Sequence, residues 1–335
     1  MRKFFVVIFT FLLIDYASAQ DPHFSQFYAS PLTLNPAFTG KFDGDYRLAA
    51  NYRNQWASIP NAYTTASASF DFGILKKSLP KGDILGLGFS GLTDQSANGA
   101  LKLNYGSVSL AYHKALDDDD YNTLGAGFQA TYSGLDLDAS KLTFADQLQA
   151  NGFTGTTTEQ FKNGKYKNYL DMNAGVLFSG SSDGENNYYG GLSLYHINSP
   201  VVGFQDKNWK LNPRITAHAG GTFPLDEQYS ISASAIEQIQ DQANESVLGA
   251  ALCINTNNDD NDDNPTNVYI GSWYRVGDAV IPYVGLEFNG LRIGTTYDIN
   301  LSSLKAATAE KGGAEFSLIY IKKDYDNKGI PCPKF

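Results

Sequence analysis

The residue types that carry most catalysis and metal binding are few and scattered in this chain. Its four histidines, His23, His113, His196 and His218, fall in different segments, and no two are three or four residues apart. A zinc-binding helix needs that spacing, and an enzyme needs its acid and base clustered at one place. The sequence therefore predicts no enzyme, no metal site and no cofactor, unless the fold brings the histidines to one rim.

Two acidic runs invite a calcium interpretation. Asp117 to Asp120 are consecutive aspartates, and residues 259–264 read Asp-Asp-Asn-Asp-Asp-Asn. The second run offers oxygen ligands but lacks the sixth-position glycine and the closing glutamate of an EF-hand loop. Solvated acidic turns are the favoured interpretation of both runs.

Composition excludes further classes of protein. The chain has 335 residues, 25 of them Lys or Arg and 35 Asp or Glu, for a net charge of −10. An acidic chain without a basic patch is a poor binder of nucleic acid. A mean hydropathy of −0.29 argues against a bundle of membrane helices. It is compatible with a membrane β-barrel, whose strands turn half of their side chains toward a polar interior.

The first residues have the three parts of a signal peptide. Met1-Arg2-Lys3 is basic, residues 4–14 are apolar, and Ala17-Ser18-Ala19 is a small-x-small cleavage site. The apolar run is shorter than the roughly 20 residues of a membrane-spanning helix, which disfavours the alternative of an N-terminal anchor. We expect cleavage after Ala19, so residues 1–19 form the signal peptide of an exported protein.

Period-two alternation then runs nearly to the C-terminus. Leu48 and Tyr52 alternate with Arg47, Asn51 and Arg53, and two faces of opposite character indicate a strand. About fourteen such segments follow one another, an even number typical of bacterial barrels. A loss of phase between Leu101 and Tyr112 predicts a bulge. The predicted spans are 46–54, 62–73, 84–92, 99–113, 121–133, 168–179, 187–197, 213–223, 229–239, 245–255, 267–276, 279–288, 290–299 and 313–322.

The predicted fold is an all-β transmembrane antiparallel barrel of about fourteen strands at residues 46–322. A short irregular periplasmic lead at 20–45 precedes it, and a periplasmic tail at 323–335 follows. A soluble β-sandwich or barrel would also alternate. Small polar and charged residues on one face, and aromatic residues near strand ends, favour the membrane barrel. The inward charges, which we expect to be paired structurally rather than to form a selectivity filter, are Arg47, Arg53, Arg214, Arg292, Asp71, Asp171, Glu287 and Asp298.

Barrel termini usually face the periplasm, with long loops outside. This rule places the loops near residues 55–60, 134–167 and 198–212 on the cell surface, where long aromatic loops are candidate binding surfaces or simple caps. It places Cys253 and Cys332 at the periplasmic side. A disulfide between these two cysteines is therefore conceivable, although sequence cannot place their Cα atoms.

The segment after the signal carries a specific pattern. It reads Asp-Pro-His-Phe-Ser-Gln at 21–26, Ser-Pro at 30–31, Asn-Pro-Ala at 35–37 and Thr-Gly at 39–40, with Tyr-Arg-Asn-Gln-Trp at 52–56 after the first strand. His-Ile-Asn-Ser-Pro at 196–200 and Cys-Pro-Lys-Phe at 332–335 complete it. In these stretches the chain resembles the PorP/SprF family of the Bacteroidota type IX secretion and gliding system.

The resemblance implies an outer-membrane barrel that helps to export, capture or anchor a large cell-surface adhesin, for gliding or attachment. It also implies partners: an adhesin with a C-terminal sorting domain, and periplasmic peptidoglycan-binding or type IX secretion components. The alternative function is an outer-membrane diffusion porin or small-solute transporter. The residues predicted to bind partners are Phe24, Phe27, Tyr28, Asn35, Pro36, Phe38, Trp56, Phe153, Phe161, Trp209, Pro333 and Phe335.

Overall fold

The computed structural model describes residues 21–59, 63–159, 164–165, 168–204, 207–256 and 266–322. The signal peptide, the second acidic run, Phe161 and the tail with Cys332, Pro333 and Phe335 lie outside these ranges. Within them, no helix is both long and apolar enough to cross a membrane.

The alternating segments form a closed antiparallel barrel of 14 strands. Each strand pairs with its neighbour in sequence, and β1 closes the ring by pairing with β14 from Tyr46↔Lys322 to Gln55↔Gly313. A two-residue strand, Gly164–Lys165, adds to the edge of β5. The barrel strands are β1 (Tyr46–Gln55), β2 (Tyr63–Ile74), β3 (Ile84–Ser96), β4 (Leu101–Ala115), β5 (Thr123–Leu137), β6 (Tyr169–Ser181), β7 (Asn187–Tyr195), β8 (Arg214–Pro224), β9 (Tyr229–Gln240), β10 (Ala243–Asn255), β11 (Asn267–Arg275), β12 (Ala279–Phe288), β13 (Leu291–Asn300) and β14 (Lys311–Lys322).

The alternation of residue types matches the alternation of faces. Leu48 and Tyr52 of β1 are exposed on the outer wall, whereas Arg47, Asn51 and Arg53 are buried inside. The same arrangement recurs around the ring, so the barrel presents an apolar exterior and a polar, charged interior, as membrane barrels do.

The predicted bulge in β4 is wrong. β4 pairs with β3 and β5 in continuous register over its whole length. The apolar pattern changes because Leu103 and Tyr105 face inward and line a cavity beside the lead. Apolar residues that face the lumen therefore made the sequence pattern look like a bulge, although the strand is regular.

The two ends of the barrel differ in their connections. At what we call the terminal end, β1 begins, β14 ends, and short turns such as 182–186 and 289–290 join the strands. At the opposite loop end lie the two longest connections, 138–168 and 196–213, which carry the short hairpins Leu148–Gln149/Gly152–Phe153 and Val201–Phe204/Lys207–Lys210.

Residues 21–45, here called the lead, lie inside the barrel. The sequence predicts a short irregular periplasmic lead, whereas its described residues lie within the lumen. Asp21 contacts His196 and Arg214 at the loop end, whereas Thr39 accepts from His113 near the terminal end. The lead thus crosses the lumen from the loop end to the terminal end before β1 begins.

Candidate functional site

The lead folds as three short helical turns separated by prolines. These are Phe27–Ala29, Pro31–Leu34 and Pro36–Phe38. A proline at the first helical position costs no hydrogen bond, since that N–H has no partner within a helix. The turns bury Phe27, Leu32 and Phe38 against the wall, and each such side chain contributes about 1.5–3 kcal/mol.

Asn35 joins two of these turns to the barrel wall. Its side-chain oxygen accepts from the Ala37 backbone N–H at 2.8 Å, which caps the third turn. Its Nδ2 donates to the Val176 carbonyl at 3.0 Å and lies 2.9 Å from the His218 ring. This fully buried amide therefore fixes both the turn and its place in the lumen.

A first cluster of buried charges, near the loop end, binds the lead to four strands. Asp298 pairs with Arg53 at 3.0 Å and with Arg275 at 2.9 Å, and it accepts from the Ser25 hydroxyl at 2.9 Å. Glu315 accepts the backbone N–H groups of residues 25 and 26 at 2.7 and 2.9 Å. Removing one partner from such a buried network leaves an uncompensated charge, which costs about 3–5 kcal/mol.

A second cluster holds the beginning of the lead at the loop end. Asp21 lies 2.6 Å from His196 and 3.1 Å from Arg214, and His196 also contacts Asp171 at 2.9 Å. Burial works to raise the pKa of Asp21, but the Arg214 guanidinium and His196 outweigh it and hold that pKa well below its usual range. For His196, burial works to lower the pKa, but its two carboxylate partners outweigh burial and raise the pKa to about 9. His196 is therefore a cation at neutral pH.

A third cluster holds the end of the lead at the terminal end. Arg47 pairs with Asp71 through Nε at 3.1 Å and Nη2 at 2.9 Å, and Nη2 also donates to the Phe38 carbonyl at 2.9 Å. Asp71 in turn accepts the Gly40 backbone N–H at 2.8 Å. Both members of this wall ion pair therefore form hydrogen bonds with the backbone of the lead.

Close backbone contact between lead and wall depends on glycine. Gly40 has φ +74°, and a Cβ there would lie 2.6 Å from the Cα of Gly86. A Cβ on Gly127 of β5 would lie 2.4 Å from the Ala37 nitrogen. The wall therefore accepts the lead at positions where a side chain would displace it.

The inward charges predicted from the sequence form pairs. Arg47–Asp71, Arg53–Asp298 and Arg292–Glu287 are ion pairs of the wall, the last with an Nη2–Oε2 distance of 2.6 Å. Arg214 and Asp171 instead serve the cluster at Asp21. The expectation of a structural ion-pair network is confirmed for these residues, and the lead supplies members that strand alternation could not reveal.

The predicted partner-binding residues divide into two groups. Phe24, Phe27, Asn35, Pro36 and Phe38 are buried in the lumen, and Tyr28 is half-buried there. In this conformation they contact the barrel wall. Their binding to a partner stays a prediction, and it would require the lead to leave the lumen.

The second group lies at the loop end. Phe153 is 53% exposed and Trp209 44% exposed, each on a short hairpin. Trp56 is half-buried, with its ring edge against Tyr63 at 5.6 Å between centroids. The structure thus brings aromatic side chains to the loop end, as the loop assignment expected.

The four histidines do not converge at one rim: His196 lies at the loop end and His113 near the terminal end. The rings of His113 and His218 are buried against the lead, where they contact Thr39 and Asn35. Among the described residues, no three His, Cys, Asp or Glu side chains are grouped to hold a metal ion. A Gly-x-Ser-x-Gly sequence at 180–184 closes the tight turn between β6 and β7, whereas a nucleophile elbow joins a strand to a helix.

Solved structures similar to this one include transport barrels. A deletion mutant of the TodX monoaromatic hydrocarbon channel superposes with a TM-score of 0.51 at 10% identity, over 86% of this chain and 92% of that chain. A Pseudomonas aeruginosa FadL homologue has a TM-score of 0.49 at 10% identity, over 87% and 94% of the two chains. At these identities the likeness concerns the fold alone.

Sequence comparison is more specific. No curated protein matches the chain. Residues 17–320 match the family described as type IX secretion system membrane protein PorP/SprF. This match covers nearly the whole barrel and the lead. The chain therefore belongs to the PorP/SprF family of type IX secretion membrane proteins, as a β-barrel of the outer membrane.

Proposed function

We propose that this barrel works by binding: it captures or anchors a large cell-surface adhesin at its loop end and links it to periplasmic type IX or peptidoglycan-binding partners at its terminal end. The observation that carries the proposal is the filled lumen. Three clusters of buried hydrogen bonds and ion pairs hold the lead in place. A barrel so filled is built as a rigid platform rather than as a passage.

The adhesin would bind the aromatic surface formed by the hairpins Leu148–Gln149/Gly152–Phe153 and Val201–Phe204/Lys207–Lys210. β6 and β7 are neighbours, so the connections that carry these hairpins are adjacent at the loop end. Asn198 fixes the second of these connections to β6, since it accepts from the Met172 N–H at 3.1 Å and donates to the Leu170 carbonyl at 2.8 Å. Exposed aromatic anchors on a supported loop are what interface hot spots require.

The test is recovery of partners from native outer membranes in gentle detergent, followed by mass spectrometry. We expect the tagged protein to bring down a large surface protein with a sorting domain and a periplasmic partner. The double variant Phe153→Ala/Trp209→Ala should lose the surface protein and keep the periplasmic one.

The matched control is Leu75→Ala/Leu225→Ala, which removes apolar side chains that are even more exposed, 60% and 61%, from turns at the terminal end. The control should keep the surface protein. Equal recovery of that protein with both double variants would refute the proposed adhesin surface.

A small-solute transporter is the second candidate function. The fold likeness to a hydrocarbon channel supports it, as does a small cavity beside the lead, lined by residues such as Leu103, Tyr105 and Tyr169. Transport would require the lead to move. A protein recovered without partners that conducts steadily in a planar bilayer would favour this second function.

A further inference from the structure

The two stems of the connection 196–213, where it leaves β7 and enters β8, both hold the first described residue of the lead. At the first stem, His196 Nε2 lies 2.6 Å from the Asp21 carboxylate. At the second stem, Arg214 lies 3.1 Å from the same carboxylate. The hairpin with the exposed Trp209 lies between the two stems. Half of the aromatic surface at the loop end is therefore supported by residues that bind the lead.

The lead is stiff between the two ends of the barrel. Its backbone hydrogen bonds overlap without a break from the Gln26 carbonyl to the Lys41 N–H, because each helical turn shares residues with the next. The wall also holds its middle, where the Ser193 hydroxyl donates to the Leu34 carbonyl at 2.8 Å. A bend within the lead would break these bonds, so the segment is expected to move as one piece.

The far end of the lead packs tightly against the wall in what we call the terminal seat, the contacts of Thr39 and Gly40. The Gly40 N–H donates to Asp71 at 2.8 Å, and the His113 ring lies 3.1 Å from the Thr39 carbonyl. A Cβ on Gly86 of β3 would lie 2.2 Å from that carbonyl oxygen. A displacement of the lead therefore breaks several contacts at once, as in packed interfaces that have two discrete arrangements.

We propose that the lead couples the two ends of the barrel, so that a partner bound at the aromatic surface of the loop end stabilises the terminal seat. The two states are the lead seated at both ends and the lead released from both. A partner that binds the hairpin in the geometry set by its two stems has a higher affinity for the seated state, and it shifts the equilibrium by that difference. The coupling is reciprocal, so release of the terminal seat weakens binding at the loop end. The role of the partner rests on the proposed function, whereas the coupling within the chain does not.

The first test perturbs the loop end and needs no partner. Asp21→Asn keeps the size of the side chain but removes its charge contacts with His196 and Arg214. We expect hydrogen exchange in residues 39–41 to become about tenfold faster in the full-length protein in lipid nanodiscs, since charged hydrogen bonds hold the lead. Faster exchange that ends before the first helical turn, or equally faster exchange in β12, would overturn the coupling.

The control for this variant is an ion pair of the loop end that does not contact the lead. Lys141 lies 3.7 Å from Asp138, and both side chains are 40% exposed. Lys141→Ala should leave exchange in residues 39–41 unchanged. The same acceleration in both variants would show that any change at the loop end has this effect, and it would contradict transmission through the lead.

The reciprocal test perturbs the terminal seat and measures the loop end. Gly86→Ala must displace the Thr39 carbonyl, whereas Gly91→Ala on the same strand is the matched control, because its Cβ meets the Tyr105 carbonyl at an ordinary 3.6 Å. We expect faster exchange in residues 196–199 with Gly86→Ala than with Gly91→Ala. Equal exchange in the two variants would overturn the proposal.

Recovery of the surface protein from native outer membranes tests the effect on the partner. Gly86 contacts the terminal seat and lies away from the aromatic surface, yet Gly86→Ala should lower recovery about fivefold or more relative to Gly91→Ala. Unchanged recovery would overturn the coupling to the partner. Failure of the exchange tests would leave the adhesin surface standing, whereas the Phe153→Ala/Trp209→Ala variant tests that surface and leaves the coupling within the chain untouched.

Discussion

At the scale of single residues, buried ion pairs of the barrel interior dominate. Arg47 and Asp71 are 3% and 0% exposed. We expect Arg47→Ala to lower the free energy of unfolding by about 3–5 kcal/mol, because Asp71 would stay buried without its cation and the Phe38 carbonyl would lose its donor. Urea unfolding in lipid vesicles measures this.

The control for Arg47 is an exposed ion pair near the same end. Lys76 and Asp45 are 3.4 Å apart and 56% and 36% exposed. Lys76→Ala should change stability by about 0–1 kcal/mol, since water screens the pair. A similar loss in both variants would contradict the assignment of stability to the buried cluster.

His196 should make stability depend on pH. Its pKa is raised from 6.5 to about 9, so its charged form stabilises the fold fully below about pH 6.5, and this stabilisation is lost as pH rises through about 9. The difference in unfolding free energy between the protein and His196→Gln should shrink between pH 6 and pH 10 by at most about 3 kcal/mol. A difference that stays constant over this range would show that the ring does not titrate in its contacts with Asp21 and Asp171.

Sequence reasoning identified both members of the wall ion pairs, such as Arg47 and Asp71, but not the members that the lead supplies. Arg47 and Arg53 were assigned to the interior because strand alternation fixes which way a side chain points. The partner of Arg214 was not predictable, because Asp21 lies in a segment without periodicity and is held by tertiary contacts. In the sequence, nothing distinguishes Gly127 from the other small residues of the strands, yet the backbone of the lead packs directly against it.

At the scale of elements, the contact between the lead and β5 depends on one missing side chain. Gly127→Ala would put a Cβ 2.4 Å from the Ala37 nitrogen, so the third turn of the lead must move. We expect faster proteolysis within residues 27–38 in folded barrels. Gly106→Ala on β4 is the control, since a Cβ there meets nothing within 4 Å. Equal proteolysis of both variants would refute the tight contact.

The strands were predicted far better than the lead. Fourteen spans were expected, and the closed barrel has 14 strands, with ends that differ by a few residues, such as 84–92 against Ile84–Ser96. Period two survives into the structure because each strand has a lipid face and a lumen face. The lead has prolines and aromatic residues without a period, so its path inside the lumen could be found only from tertiary contacts.

At the scale of the whole molecule, the lead decides whether the barrel conducts. The intact protein should be silent in planar bilayers. A variant lacking residues 22–39 keeps every strand pairing and should conduct in steady steps, because the polar lumen would then be open. Heat-modifiable migration in gels checks that the variant is folded, and a folded variant that stays silent would show that another segment closes the lumen.

The direction of the lead constrains assembly. Its first described residue lies at the loop end, and the chain must pass through the whole ring to reach Tyr46. A ring that sealed its β1–β14 seam with the lead outside could recover only by threading or by reopening. We therefore expect this seam to form last in biogenesis, with the lead as the template around which the sheet curls. In a barrel of this kind, the path of the N-terminal segment would determine the order in which the strands pair.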